Sequence, residues 1–148
     1  MIRATTDLAG YEKFQARYVE AVDKAVGAAA ASMQGDIRKS FQITGPLPGV
    51  KKGTAGQNVP SEPGETPAVQ FGWLRKNLVY TRAAKWVWRV VSASRYSAAL
   101  EFGYAPNNLQ ERPFMRPAMN SKANQKRALN VFRRVLKRSL LGLAGGGK

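Results

Sequence analysis

Apolar residues recur through the first quarter of the chain at steps of mostly three and four: Leu8, Tyr11, Phe14, Tyr18, Val22, Val26, Met33 and Ile37, with Ala25 and Ala29 filling the interval. That is the helical period, and it predicts one long helix from about Asp7 to Phe41. Thr5, Thr6 and Asp7 offer N-cap oxygens ahead of it. Gly27 and Gly35 each cost about 1 kcal/mol against alanine, and a bend near Gly35 is expected. The small residues Ala28 to Ala31 make a smooth face, suited to close packing against a sheet or, less favourably, to a partner helix.

The pattern then breaks. Residues 44–70 hold Gly45, Pro46, Pro48, Gly49, Gly53, Gly56, Pro60, Pro63, Gly64 and Pro67, which interrupt any regular element. An extended loop of this length inside one domain is expected either to order on assembly or to be a surface insertion. Beyond it, the second half of Phe71 to Thr81 reads as a strand. Arg82 to Lys85 reads as a turn. Trp86 to Ala93 is rich in aromatic and β-branched residues and reads as a second strand. Together they predict an antiparallel hairpin, with Trp86, Trp88 and Val90 on one face, packed on the long helix.

Arg95 to Gly103 reads as a short helical turn with Gly103 as its C-terminal cap, and Tyr104 to Arg112 as a polar loop. Pro113 and Pro117 open a second amphipathic helix that continues to about Leu143. Its apolar stripe is Ala118, Leu129, Phe132, Val135, Leu136, Leu140 and Leu143. Residues 144–148, ending in three glycines and a lysine, are expected to be a disordered tail. With no internal repeat, the order of elements predicts a single α+β domain over residues 1–148, its helices on one side of a small antiparallel sheet.

Composition narrows the chemistry. Among 148 residues there is no cysteine and no histidine. Disulfides, thiolate nucleophiles, the commonest general acid–base and the commonest transition-metal ligand are therefore all missing. The nine acids are scattered, without the spacing of a calcium loop. Residues Pro48 to Thr54 superficially resemble a phosphate-binding loop but lack its glycine spacing and do not follow a strand. Ser121 and Lys122 are neighbours on a helix and do not face each other. Glu101, a lone carboxylate between Leu100 and Phe102, suits an ion pair or a helix end better than a general acid. Catalysis and cofactors are not expected. No apolar run approaches the roughly 18 residues of a membrane span, and Met1 to Asp7 lacks the apolar stretch of a signal peptide. A soluble protein made in a cytoplasm is expected.

Charge adds a surface. Lysine and arginine number 24 against nine acids, a net +15. From Arg112 onward there are ten basic residues and no acid. Lys126, Arg127, Arg133, Arg134, Lys137 and Arg138 cluster there without neutralising partners in the sequence. They form the candidate surface for an acidic partner or for DNA. In a nucleic-acid-binding module, that helix would contact phosphates while Trp86 or Trp88 stacked on bases.

Three ordered motifs point more specifically. Ser61-Glu62-Pro63-Gly64-Glu65-Thr66-Pro67-Ala68 precedes Gly72-Trp73-Leu74-Arg75-Lys76-Asn77-Leu78. Tyr96-Ser97-Ala98-Ala99-Leu100-Glu101-Phe102-Gly103 precedes Arg112-Pro113-Phe114-Met115-Arg116-Pro117-Ala118. In order and spacing this resembles the phage head–tail joining and tail-component family, which includes neck and tail-completion proteins. Tyr104 and Phe71 stand where that family usually has threonine. The resemblance spans roughly Ser61 to Ala118. It implies a small α+β subunit of the virion that forms a homo-oligomeric ring at the head–tail junction. It also implies a hexamer, because tail tubes are sixfold, adjacent neck and tail-tube proteins as partners, and possible contact with genome DNA passing through. The fold-defining roles it suggests are Pro113 and Pro117 stiffening the start of the last helix, Phe114 anchoring it, and Gly103 allowing a sharp reversal. A basic nucleic-acid-binding module is the alternative.

Overall fold

The computed structural model describes residues 8–51, 54 and 57–144. It is mixed helix and strand, as the periodicities predict. Helix α1 spans Leu8–Ser40 and runs through Gly27 and Gly35 without interruption. Helix α2, Trp73–Lys76, leads into β1, Leu78–Ala84, which pairs antiparallel with β2, Val87–Ser92. Then follow α3, Ser97–Phe102, a 3-10 turn at Ala105–Asn107, α4, Met115–Asn120, and α5, Lys122–Ala144. Among the described residues no helix is long and apolar enough to cross a membrane. The predicted caps at Thr5, Thr6 and Asp7 and all of the predicted tail but Ala144 lie outside the described residues. Ala144 itself ends α5 rather than beginning a tail.

The core sits at the C-terminal end of α1. Met33, Ile37, Phe41, Leu74, Leu78, Phe114 and Ala118 are buried together there, with Val69, Val90, Leu100, Met115 and Ala128 against them. Phe114, the expected anchor, is fully buried, its ring 5.3 Å from that of Phe41. Each fully buried apolar side chain of this size contributes roughly 1.5–3 kcal/mol. Gln34 and Arg38, on the next turns of α1, each donate to the Leu78 carbonyl at 2.7 Å and fix where β1 starts.

Helix α1 is the shared support. The hairpin packs on it, with Trp88 and Val90 turned inward and Val87, Arg89 and Val91 outward. Helix α5 packs along it as well, antiparallel, since Arg127 near the start of α5 pairs with Asp36 near the end of α1.

Four expectations change. Helix α1 buries its apolar stripe only from Ala21 onward; Tyr11, Phe14 and Tyr18 remain 59%, 55% and 43% exposed. The hairpin turn is shorter and later than predicted, Lys85 and Trp86 instead of Arg82 to Lys85. β1 continues to Ala84 through a register shift after Arg82, and Trp86 sits in the turn with φ 62° rather than in the strand. Its backbone N–H donates to the Asp23 carboxylate at 2.9 Å and its indole N–H to the Val19 carbonyl at 3.3 Å, which hold it against α1. The C-terminal helix is two helices, because Ser121 adopts an extended ψ of 115°. Finally, Leu129 is 45% exposed, and Ala128 and Val131 take its place facing α1.

The described residues of 44–70 contain no helix or named strand, but their second half is fastened by the chain itself. Gln42 and Ala68 form a parallel bridge, Pro46 and Asn58 an antiparallel one. The Asn58 N–H donates to the Gln70 side chain, whose amide returns a bond to the Asn58 carbonyl. Thr66 donates to the Ser40 carbonyl at 2.7 Å and so satisfies one acceptor at the end of α1.

Candidate functional site

The motif segments that are separate in sequence converge in space around Glu101. This residue lies on α3 and is 4% exposed. One carboxylate oxygen accepts the backbone N–H groups of Phe114 and Met115 at 2.8 and 3.0 Å. The other accepts the Arg116 N–H at 2.9 Å and its guanidinium at 3.2 Å. Arg116 also donates to the Glu101 carbonyl and to Glu111 at 2.8 Å, and lies 5.1 Å from the Phe102 ring. Burial acts to raise the Glu101 carboxyl. The backbone donors of Met115, Phe114 and Arg116 and the Arg116 side chain outweigh it and hold the group below the usual carboxylate value. The carboxylate is thus an acceptor for the first amides of α4. No oxygen of it is left poised for proton transfer.

Next to this bracket, Arg112 donates to the Ser61 carbonyl at 3.0 Å, and its backbone N–H to the Leu100 carbonyl at 2.6 Å. Gly64 donates to the Glu111 carbonyl at 2.8 Å. Gly103 has φ 78°, and a Cβ there would stand 3.0 Å from the Leu109 carbonyl oxygen, so the reversal needs glycine. The segments border an open, predominantly apolar cavity of about 580 Å³. Phe41, Pro67, Val69, Leu74 and Leu100 line it, and Phe71, Trp73 and Tyr96 stand exposed at its rim beside Arg75 and Arg112. No periodicity announces this cavity, since its walls come from four stretches of chain.

The predicted basic residues all lie on α5, and they divide into two kinds. Arg127 is tied to Asp36 and also reaches the Asn124 side chain. Lys126, Arg133, Arg134, Lys137 and Arg138 are exposed and form no ion pair among the described residues. Sequence reasoning missed Asp36 as the partner of Arg127; its signal is a carboxylate next to Ile37 on α1. Trp86 and Trp88, the proposed stacking residues, are engaged with α1. Trp88 lies against Gly27, and Trp86 bonds Asp23 and Val19. Among the described residues no cluster of acidic, histidine or cysteine side chains is arranged to hold a metal.

Comparison with family models, with curated proteins and with solved structures found no match to this chain.

Proposed function

We propose that this chain is a structural protein of a phage particle, forming a ring at the head–tail junction that completes or terminates the tail and joins it to the head. The observation that carries the reading is the convergence of the motifs around Glu101. The segment from Ser61, the segment that ends in E-F-G and the R-P-F segment, whose sequence resembles the head–tail joining family, are bonded to one another, and Ser61, Leu100 and Arg112 from them line one cavity. Residues spaced for catalysis would expose a reactive group; these spend their polar atoms on backbone. The role is assembly by shape, and no enzymatic step or cofactor is assigned.

In this reading the subunits close a ring through heterologous contacts, sixfold where the ring meets a sixfold tail tube. The basic face of α5 meets an acidic neighbour in the neck or the genome passing through the lumen. Light scattering of the purified chain, together with electron microscopy of particle necks, tests the proposal. The expected outcome is a hexamer-sized ring that coincides with density at the junction. A fixed dimer, with no corresponding ring in particles, would overturn it.

A second reading has its own observation. The unpaired cations of α5 suit a phosphate backbone, and a basic nucleic-acid-binding module would use them without any ring.

A further inference from the structure

The tip of the β1–β2 hairpin has a conformation that its own residues disfavour. We propose that this tip, residues 83–87, is a strap with two positions: clipped to α1 by Asp23, or released as a wider loop while the base of the hairpin stays in place.

Base and tip are fastened differently. At the base, Leu78 is fully buried, and its carbonyl accepts bonds from Gln34 and Arg38 of α1 at 2.7 Å. Further along, Val90 packs against the core. Trp88 lies over Gly27, its ring 5.8 Å from that of Tyr80. Past Trp88 this support ends, and Arg82 to Val87 are all exposed. A segment with few buried apolar contacts opens at a small cost in free energy.

The pairing changes at the same place. It runs in regular register from Leu78–Ser92 to Arg82–Trp88; then Ala83 is skipped, and Ala84 pairs with Val87 around the two-residue turn of Lys85 and Trp86. Turns this short need positive φ, which glycine and asparagine supply readily. Here a tryptophan supplies it, at φ 62°, a conformation disfavoured for a bulky side chain. Its support comes from α1. One Asp23 oxygen accepts the Trp86 N–H at 2.9 Å, and the other accepts the Arg82 guanidinium at 2.8 Å. The Trp86 indole N–H reaches the Val19 carbonyl at 3.3 Å. Among the described residues these are the hydrogen bonds that join the tip to α1. Without the carboxylate, Trp86 relaxes to negative φ and the Ala84–Val87 pair is lost. Arg82–Trp88 then closes a five-residue loop over residues 83–87, a length that hairpins build around an ordinary type I turn. Release frees Arg82 and the Trp86 indole from α1, beside Lys85 and Arg89, which are exposed already.

Nuclear magnetic resonance on the full chain tests the strap, with cross-strand Overhauser contacts and relaxation dispersion as readouts. The wild type should show the Ala84–Val87 contact, with exchange on the μs–ms timescale confined to residues 83–87. Asp23→Ala, a change that favours helix in α1, should lose the Ala84–Val87 contact and keep those of Arg82–Trp88 and Leu78–Ser92. Adding Trp86→Gly should restore the lost contact, because glycine takes the positive φ without a clip. Four results would overturn the proposal. A wild type without such exchange has a fixed tip. An Ala84–Val87 contact that survives in Asp23→Ala shows that the carboxylate does not hold the tip. Loss of every pair down to Leu78–Ser92 shows that the hairpin leaves α1 as a whole. A double variant that stays open shows that positive φ at Trp86 is not what drives release.

Discussion

Glu101 shows how one residue unites segments that the sequence keeps apart. Its carboxylate replaces water for the first N–H groups of α4, which have no partner inside that helix. In the variant Glu101→Gln the amide nitrogen would turn a donor toward N–H groups that are themselves donors. Each buried donor left unsatisfied costs about 1–3 kcal/mol, so a loss of about 3 kcal/mol and a thermal midpoint about 10 °C lower are expected. The pH dependence gives an independent readout. The folded pKa lies below the ordinary value of 4.5, so the carboxylate's contribution is complete above about that pH. It is lost as pH falls through the lowered folded value. Thermal unfolding followed from neutral pH down to about pH 3 should therefore show a smaller acid-induced drop in the variant than in the wild type. Equal drops would mean that Glu101 does not supply the acid sensitivity. In sequence Glu101 was recognisable as an ion-pair or helix-end residue. That its partners are the backbone of residues 114–116 was not, because nothing in composition or spacing states which helix end a lone carboxylate reaches.

Elements were legible where a period runs unbroken, and misplaced where a single residue ends one. The long helix and the two strands follow directly from steps of three to four and of two. The division of the C-terminal helix does not, because apolar residues continue on both sides of Ser121. Ser121 nonetheless carries the signal of a cap: its hydroxyl accepts the Asn124 N–H at 3.4 Å, while Asn124 and Gln125 return side-chain bonds to the Ala118 and Met119 carbonyls. The hairpin turn was displaced for a similar reason. Trp86 has strong strand character, yet its bonds to Asp23 and Val19 outweigh the usual reluctance of a bulky residue to adopt positive φ. How the hairpin packs on α1 gives a prediction whose sign runs against propensity. A glycine inside a helix normally costs about 1 kcal/mol, so Gly27→Ala would ordinarily stabilise. Here the added Cβ would stand 2.9 Å from two atoms of the Trp88 indole, whose ring also lies 5.8 Å from Tyr80. Overpacking of this kind costs typically about 1–3 kcal/mol. Chemical denaturation should show Gly27→Ala destabilised, and the same change neutral or stabilising in a Trp88→Phe background. A stabilised single variant would show that the hairpin sits less tightly on α1.

At the scale of the whole molecule, charge is distributed unlike the folding interactions. The buried acids are already engaged, Asp36 with Arg127 and Glu101 with α4, whereas the cations of α5 face outward beside one another. Like charges at helical neighbours repel, so this face does not stabilise the monomer. Changing Arg133, Arg134, Lys137 and Arg138 together to glutamate should accordingly leave circular dichroism unchanged. It should also leave the thermal midpoint equal or slightly higher. Any functional loss then reports on what the face meets. In the assembly reading the variant fails to join particles, seen as free heads and free tails by electron microscopy. In the nucleic-acid reading the wild type binds duplex DNA with an affinity that falls steeply with salt. Removing four phosphate contacts would then flatten the slope of log affinity against log salt by about 3 to 4, at roughly 0.9 per contact. The expected result is loss of joining without a measurable salt-dependent slope in the isolated chain, since a ring that guides DNA through its lumen needs only weak contact from each subunit. A steep slope that the variant abolishes, with joining intact, would transfer the face of α5 from assembly to nucleic acid.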